Sequence, residues 1–199
     1  MAACMSDGVQ DDKLLAAVTG DTAYIVVRGR ATFKISPGVK RLFTNLTDKG
    51  VRQFILDMSD CPGMDSTFMG VVAGQAIRLK AHNGSVVMIH LSPYLRGLIA
   101  TLGLDTLVEA HCVENIHEQL DVKELIAQCK PISTEILSAV RDVSARTMLD
   151  AHETLAQLLP ENEEKFRDVL KYLREELSPP NDPTSSSSSS DGGDATVIS

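Results

Sequence analysis

An α/β fold, with a mixed sheet of four to five strands and helices packed largely on one side, is predicted for this chain by three observations. Short apolar, β-compatible runs alternate with stretches of helical apolar spacing from about residue 13 to residue 128. The alternation is punctuated by Ser36-Pro37 and Ser92-Pro93, each an N-cap residue with a first-turn proline, and by the turn pair Asn83-Gly84. Finally, 199 residues with 43% hydrophobic content suffice for one cored domain of ~100 to 150 residues plus appendages.

Residues 1–12 are polar and read as a flexible N-terminus; the domain follows over 13–129. Two apolar runs, 14–18 and 24–27, flank Thr19-Gly20-Asp21-Thr22 and read as a β-hairpin. After Ser36-Pro37, Val39, Leu42, Phe43 and Leu46 recur at helical spacing until Asp48-Lys49-Gly50 stops the turn. Phe54-Ile55-Leu56-Asp57-Met58 is short and apolar, as a strand covered on both faces should be. A second helix is expected from about Asp65–Thr67 to His82, and 85–91 is the next buried strand. Leu95, Leu98, Ile99 and Leu102 mark a third helix, with Gly103 where a C-terminal cap belongs. A short strand at 106–109 and a helix over 113–128 complete the order β-β-α-β-α-β-α-β-α.

Beyond Lys130-Pro131 the pattern is helical only, so residues 130–177 form a helical extension. Ile136, Leu137, Val140, Met148, Leu149, His152, Leu155 and Leu159 trace one face up to the break at Pro160. The next helix opens on acidic residues, favourable at a helix N-terminus, and carries Phe166, Val169, Leu170, Leu173 and Leu177 on one stripe. That stripe must be buried against the domain or against a second copy in a homodimer. From Ser178, through six consecutive serines, the tail to Ser199 has no apolar period and reads as disordered.

Composition removes several function classes. A net charge of -8, with Lys and Arg scattered, argues against direct nucleic-acid binding, and with no Trp and 4% aromatics there is no stacking platform. The N-terminus lacks a signal-peptide pattern and no run of ~18 apolar residues occurs, so a cytoplasmic protein without membrane contact is expected. Cys4, Cys61, Cys112 and Cys129 form no C-x-x-C pair; Cys112, close to His111 and His117, lacks the further ligands a metal site needs. No phosphate-cradling glycine loop or G-x-S-x-G turn is present, and His82, His90, His111, His117 and His152 are isolated in sequence. No catalytic residue, metal or cofactor is expected.

The informative segment joins Leu56-Asp57-Met58-Ser59 to Met64-Asp65-Ser66-Thr67-Phe68-Met69-Gly70-Val71-Val72-Ala73-Gly74. Asp65, Ser66 and Thr67 are three capping residues in a row, which sets hydroxyls beside the free first-turn amides and the positive end of a helix dipole, where a phosphate is favoured. Gly70, Ala73, Gly74 and Ile77 share a face, expected to bring this helix close to its sheet.

Over residues 13–128 this sequence resembles the STAS family, specifically its bacterial anti-sigma-factor antagonists, in which a strand ending Leu-Asp-hydrophobic-Ser leads to Met-Asp-Ser-Ser/Thr-Gly-Leu-Gly. Leu102-Gly103-Leu104-Asp105-Thr106-Leu107 is similar to the family's Leu-Gly-Leu-Asp segment, and Phe68 stands where the regulators most often carry Gly. The resemblance implies a non-catalytic switch protein phosphorylated at Ser66 by an anti-sigma factor serine kinase and reset by a metal-dependent serine phosphatase. It places the switch loop and partner contacts at Asp57, Asp65, Ser66, Thr67, Phe68 and Met69. The alternative is a constitutive STAS interaction scaffold or dimerisation module in which Ser66 is only a helix cap.

Overall fold

The computed structural model describes residues 13–110, 128–131 and 141–178. The expected N-terminal segment 1–12, the helix over 113–128 (save Gln128), the Cys112 neighbourhood, Ile136 to Val140 and the tail from 179 onward lie outside the described residues.

Strands β1 (Lys13–Thr19) and β2 (Thr22–Arg28) form the antiparallel hairpin, paired Leu14 to Val27 and Val18 to Ala23, with Gly20 at φ +59° in its turn. Strand β3 (Gln53–Asp57) runs parallel to β2, and β4 (Ser85–Ile89) parallel to β3. Two-residue strands close the sheet: β5 (Glu109–Ala110) beside β4 and β6 (Lys130–Pro131) beside β1. The mixed sheet has the order β5-β4-β3-β2-β1-β6. Its last parallel strand is later and shorter than the sequence pattern suggested, because Leu104–Thr106 winds into a 3-10 turn. Gly103 there adopts φ +75°, and its carbonyl accepts the Thr106 hydroxyl at 2.7 Å.

Helices α1 (Ser36–Asp48), α2 (Ser66–Lys80), α3 (Pro93–Thr101), α4 (Arg141–Ala156) and α5 (Pro160–Leu177) share one core over one face of the sheet. Phe43 of α1 stacks on Phe54 of β3 at 4.3 Å. Ser92 caps α3 as expected, accepting from the Leu95 amide. Ser36, by contrast, is not a cap: the turn from Thr32 runs directly into α1, and the Ser36 hydroxyl donates back to the Thr32 carbonyl. On the opposite face of the sheet a smaller cluster gathers Ala17, Tyr24, Val26, Ile55 and Ile89.

The small-residue face of α2 does not meet the sheet. Phe68, Val72, Ala76 and Leu79 are the deeply buried side of that helix. Gly70 and Gly74 instead receive α4: a Cβ on Gly70 would stand 2.3 Å from the Ala151 carbonyl oxygen, and one on Gly74 3.6 Å from Thr154 Oγ1. Ile77 is exposed. The reason is that the C-terminal helices fold back as a hairpin onto α2, using the groove that the missing side chains leave. Buried Asn162, at the start of α5, donates to the carbonyls of Leu102 and Leu155 and so ties the hairpin to the end of α3.

Candidate functional site

The loop after β3 is braced from below. Ala31 donates to the Gly63 carbonyl at 2.9 Å, Asp65 donates to the Ala31 carbonyl at 3.0 Å, and Gly29 donates to the Asp60 carbonyl at 3.1 Å. Asp65 is the N-cap of α2: Oδ1 accepts from the Phe68 amide at 2.9 Å, while Oδ2 accepts from the Phe33 amide at 2.6 Å. One carboxylate therefore both starts the helix and holds the loop after β2 against it.

Ser66 is the first helical residue and is half-buried. Its Oγ lies 2.9 Å from Nε2 of His152 on α4, and His152 Nδ1 lies 2.7 Å from the Met148 carbonyl oxygen. A carbonyl only accepts, so Nδ1 carries a proton; in the neutral imidazole Nε2 is then the acceptor and the Ser66 hydroxyl donates to it. His152 is only 5% exposed, with the Phe166 ring edge-on at 5.1 Å. Spacing alone made His152 an ordinary member of an apolar stripe. Its partner lies 86 residues away, and only the hairpin fold joins them.

The other predicted site residues divide sharply. Thr67, Phe68 and Met69 are buried, Phe68 completely, because each helical step of ~100° turns the side chains after Ser66 toward the core. All three therefore lie in the core, whereas sequence adjacency to Ser66 places them with the switch loop. Asp57 is also buried, 4% exposed, and its bonds point elsewhere: it accepts from Tyr24 Oη at 2.5 Å, from the Ser59 amide at 3.0 Å and from His90 Nδ1 at 2.8 Å. His90 is held at φ +56°, a left-handed conformation uncommon outside glycine.

Burial alone would raise the Asp57 pKa, but the bonds from Tyr24, Ser59 and His90 outweigh it and leave the carboxyl below its ordinary value. Tyr24 is pushed up, first by burial, then by the hydrogen bond and charge of Asp57. The Cys129 thiol is also raised, by burial and by the Asp57 charge, against a smaller opposing effect of Arg28. Asp57 thus anchors a polar cluster at the end of the interior strand β3, while Asp65 and Ser66 alone among the six predicted residues stay half-exposed at the α2 terminus.

The model of the STAS domain matches residues 13–121, more than half of the chain. The chain belongs to the STAS domain family. Among solved structures, SpoIIAA is similar in two states: the anti-sigma factor antagonist in its unphosphorylated form (21% identity, TM-score 0.45) and the Bacillus cell fate determinant in its phosphorylated form (22%, TM-score 0.45). Each match covers 55% of this chain and 96% of the other. A sulfate transporter family protein from Wolinella succinogenes is similar at 19% identity and TM-score 0.42, over 56% of this chain and 91% of that one. No curated protein matches the chain in sequence. Within this STAS protein, among the described residues, no helix is long and apolar enough to cross a membrane.

Proposed function

We propose that this STAS protein is an anti-sigma factor antagonist that works by partner switching under the control of Ser66 phosphorylation. One observation carries the reading: Ser66 begins a helix capped by Asp65 at the end of a braced loop, in a chain of the STAS family. A phosphate there meets free first-turn amides and the positive end of the α2 dipole, which stabilise it without refolding the domain. The unphosphorylated protein binds an anti-sigma factor serine kinase, which supplies the nucleotide site, and a metal-dependent serine phosphatase resets it. The chain itself is a binding module of the cytoplasm, not an enzyme. Partner contacts centre on Asp65 and Ser66, since Thr67, Phe68 and Met69 are turned inward.

The test is intact-protein mass analysis of the full chain incubated with a co-purified anti-sigma kinase and ATP. One added phosphate mapped to Ser66, and none on Ser66→Ala, is the expected result. The second reading, a constitutive scaffold, is favoured by the Ser66–His152 bond, which gives the serine a structural task. It wins if phosphate enters only the serine run 185–190, or if Ser66→Ala unfolds the domain without changing partner choice.

A further inference from the structure

Resting on that phosphoswitch reading, we propose that the α4–α5 hairpin is an intramolecular cover for Ser66, and that closure of the hairpin and a phosphate on Ser66 exclude one another. Phosphorylation forms a bond from Ser66 Oγ to the γ-phosphorus of ATP, breaks the bond from that phosphorus to the β,γ-bridging oxygen, and releases ADP; the hydroxyl proton leaves to a base. In the closed chain that hydroxyl is already engaged, donating to His152 at 2.9 Å. A phosphorus with three further oxygens has to enter a gap closed at hydrogen-bond distance.

The ring cannot step aside alone. His152 Nδ1 is tied to its own helix through Met148, and the Phe166 ring of α5 packs against it in a T-shaped arrangement. Nor can α4 move closer to α2 to tilt the ring away, because Ala151 already rests on Gly70. The helix is further fixed by Lys40 of α1, whose Nζ lies 2.7 Å from Asp150 Oδ2. Relief therefore comes from lifting the hairpin as a body. Its two helices are paired to each other by Arg174 and Glu153 at 2.9 Å, so they can swing together while α2 stays on the sheet, giving up the apolar contacts they make with the common core. The kinase then acts on the open fraction of the chain, and closure lowers the apparent rate by that fraction.

Two full-chain measurements test this. Amide hydrogen exchange is compared for the native chain, Ser66→Ala and Ser66→Glu, the last placing a bulky anion at the α2 terminus. Exchange in α4 is expected to rise at least about tenfold in Ser66→Glu, with β1–β4 unchanged and Ser66→Ala near the native rate, a tenfold change corresponding to ~1.4 kcal/mol of opening. Native protection of α4 in Ser66→Glu overturns the proposal. In the second arm, Gly74→Cys and Thr154→Cys, at positions where the missing Cβ and the threonine hydroxyl stand 3.6 Å apart, clamp α4 to α2 when oxidised. The oxidised form should take phosphate from kinase and ATP at least about tenfold more slowly than the same chain reduced; equal rates overturn the cover. Absence of phosphate on Ser66 in both forms is a failure of the phosphoswitch, and the exchange experiment then still decides the hairpin.

Discussion

Asp57 and Ser66, at the two ends of one loop, are polar residues with opposite tasks. The Asp57 carboxylate is enclosed by three donors and held below its ordinary pKa, so its charge is part of the folded state. A carboxyl whose folded pKa lies below the unfolded value of about 3.9 stabilises the protein above that pH, and the contribution is lost as pH falls through the folded value. Asp57→Asn should therefore be less stable than the native chain at pH 7, by about 1–3 kcal/mol. The gap should narrow once the pH drops below about 4. Urea unfolding of both proteins between pH 7 and pH 3 measures this, and a difference independent of pH would assign the cost to packing. Tyr24→Phe removes one hydrogen bond to a charged group and should cost about 1.5–3 kcal/mol in the same assay.

Along α2, three faces do three things: the side bearing Phe68, Val72, Ala76 and Leu79 fills the core, the N-terminus presents Ser66, and the glycine face seats α4. The two glycines on that last face predict opposite outcomes. Gly70→Ala forces a methyl onto the Ala151 backbone, so α4 must shift, at a cost of about 1–3 kcal/mol. Gly74→Ala meets Thr154 only at ordinary contact distance and should gain about 0.5–1 kcal/mol from helix propensity, both read from urea midpoints. Much of this was written locally in the sequence: the strand and helix order through α3, the Asp65 and Ser92 caps, and the close-approach face of α2. What lay across that face was not, because small residues at i, i+3 and i+4 specify proximity without specifying the neighbour. The pairings of His152, Tyr24 and His90 are not legible there for a related reason. Each acquires meaning from a partner 33 to 86 residues away, and nothing in the local pattern marks it.

At the scale of the whole molecule, the apolar stripe that demanded burial finds it within one chain. Phe166, Leu170 and Leu173 are buried in the same core as the sheet, with Val169 and Leu177 partly covered against it. Among the described residues, the large apolar side chains that remain exposed, Val18, Phe33, Ile77, Tyr94 and Tyr172, come from five different elements and loops. A dimer through the C-terminal helices is therefore not required to hide that stripe, and sedimentation equilibrium of the full chain should give the mass of one copy at every concentration. Phe166→Ala supplies the decisive contrast. Its ring touches both His152 and the common core, and truncation should cost about 3–5 kcal/mol, loosening the hairpin before the sheet, whose Phe43–Phe54 stack and strand ladder are untouched. The loosened chain exposes the α2 glycine face together with the hairpin seam, and so should begin to self-associate as concentration rises. The opposite pattern, a native dimer that Phe166→Ala converts to monomer, would mean that the stripe is satisfied between chains, and that the cover over Ser66 is lent by a second copy.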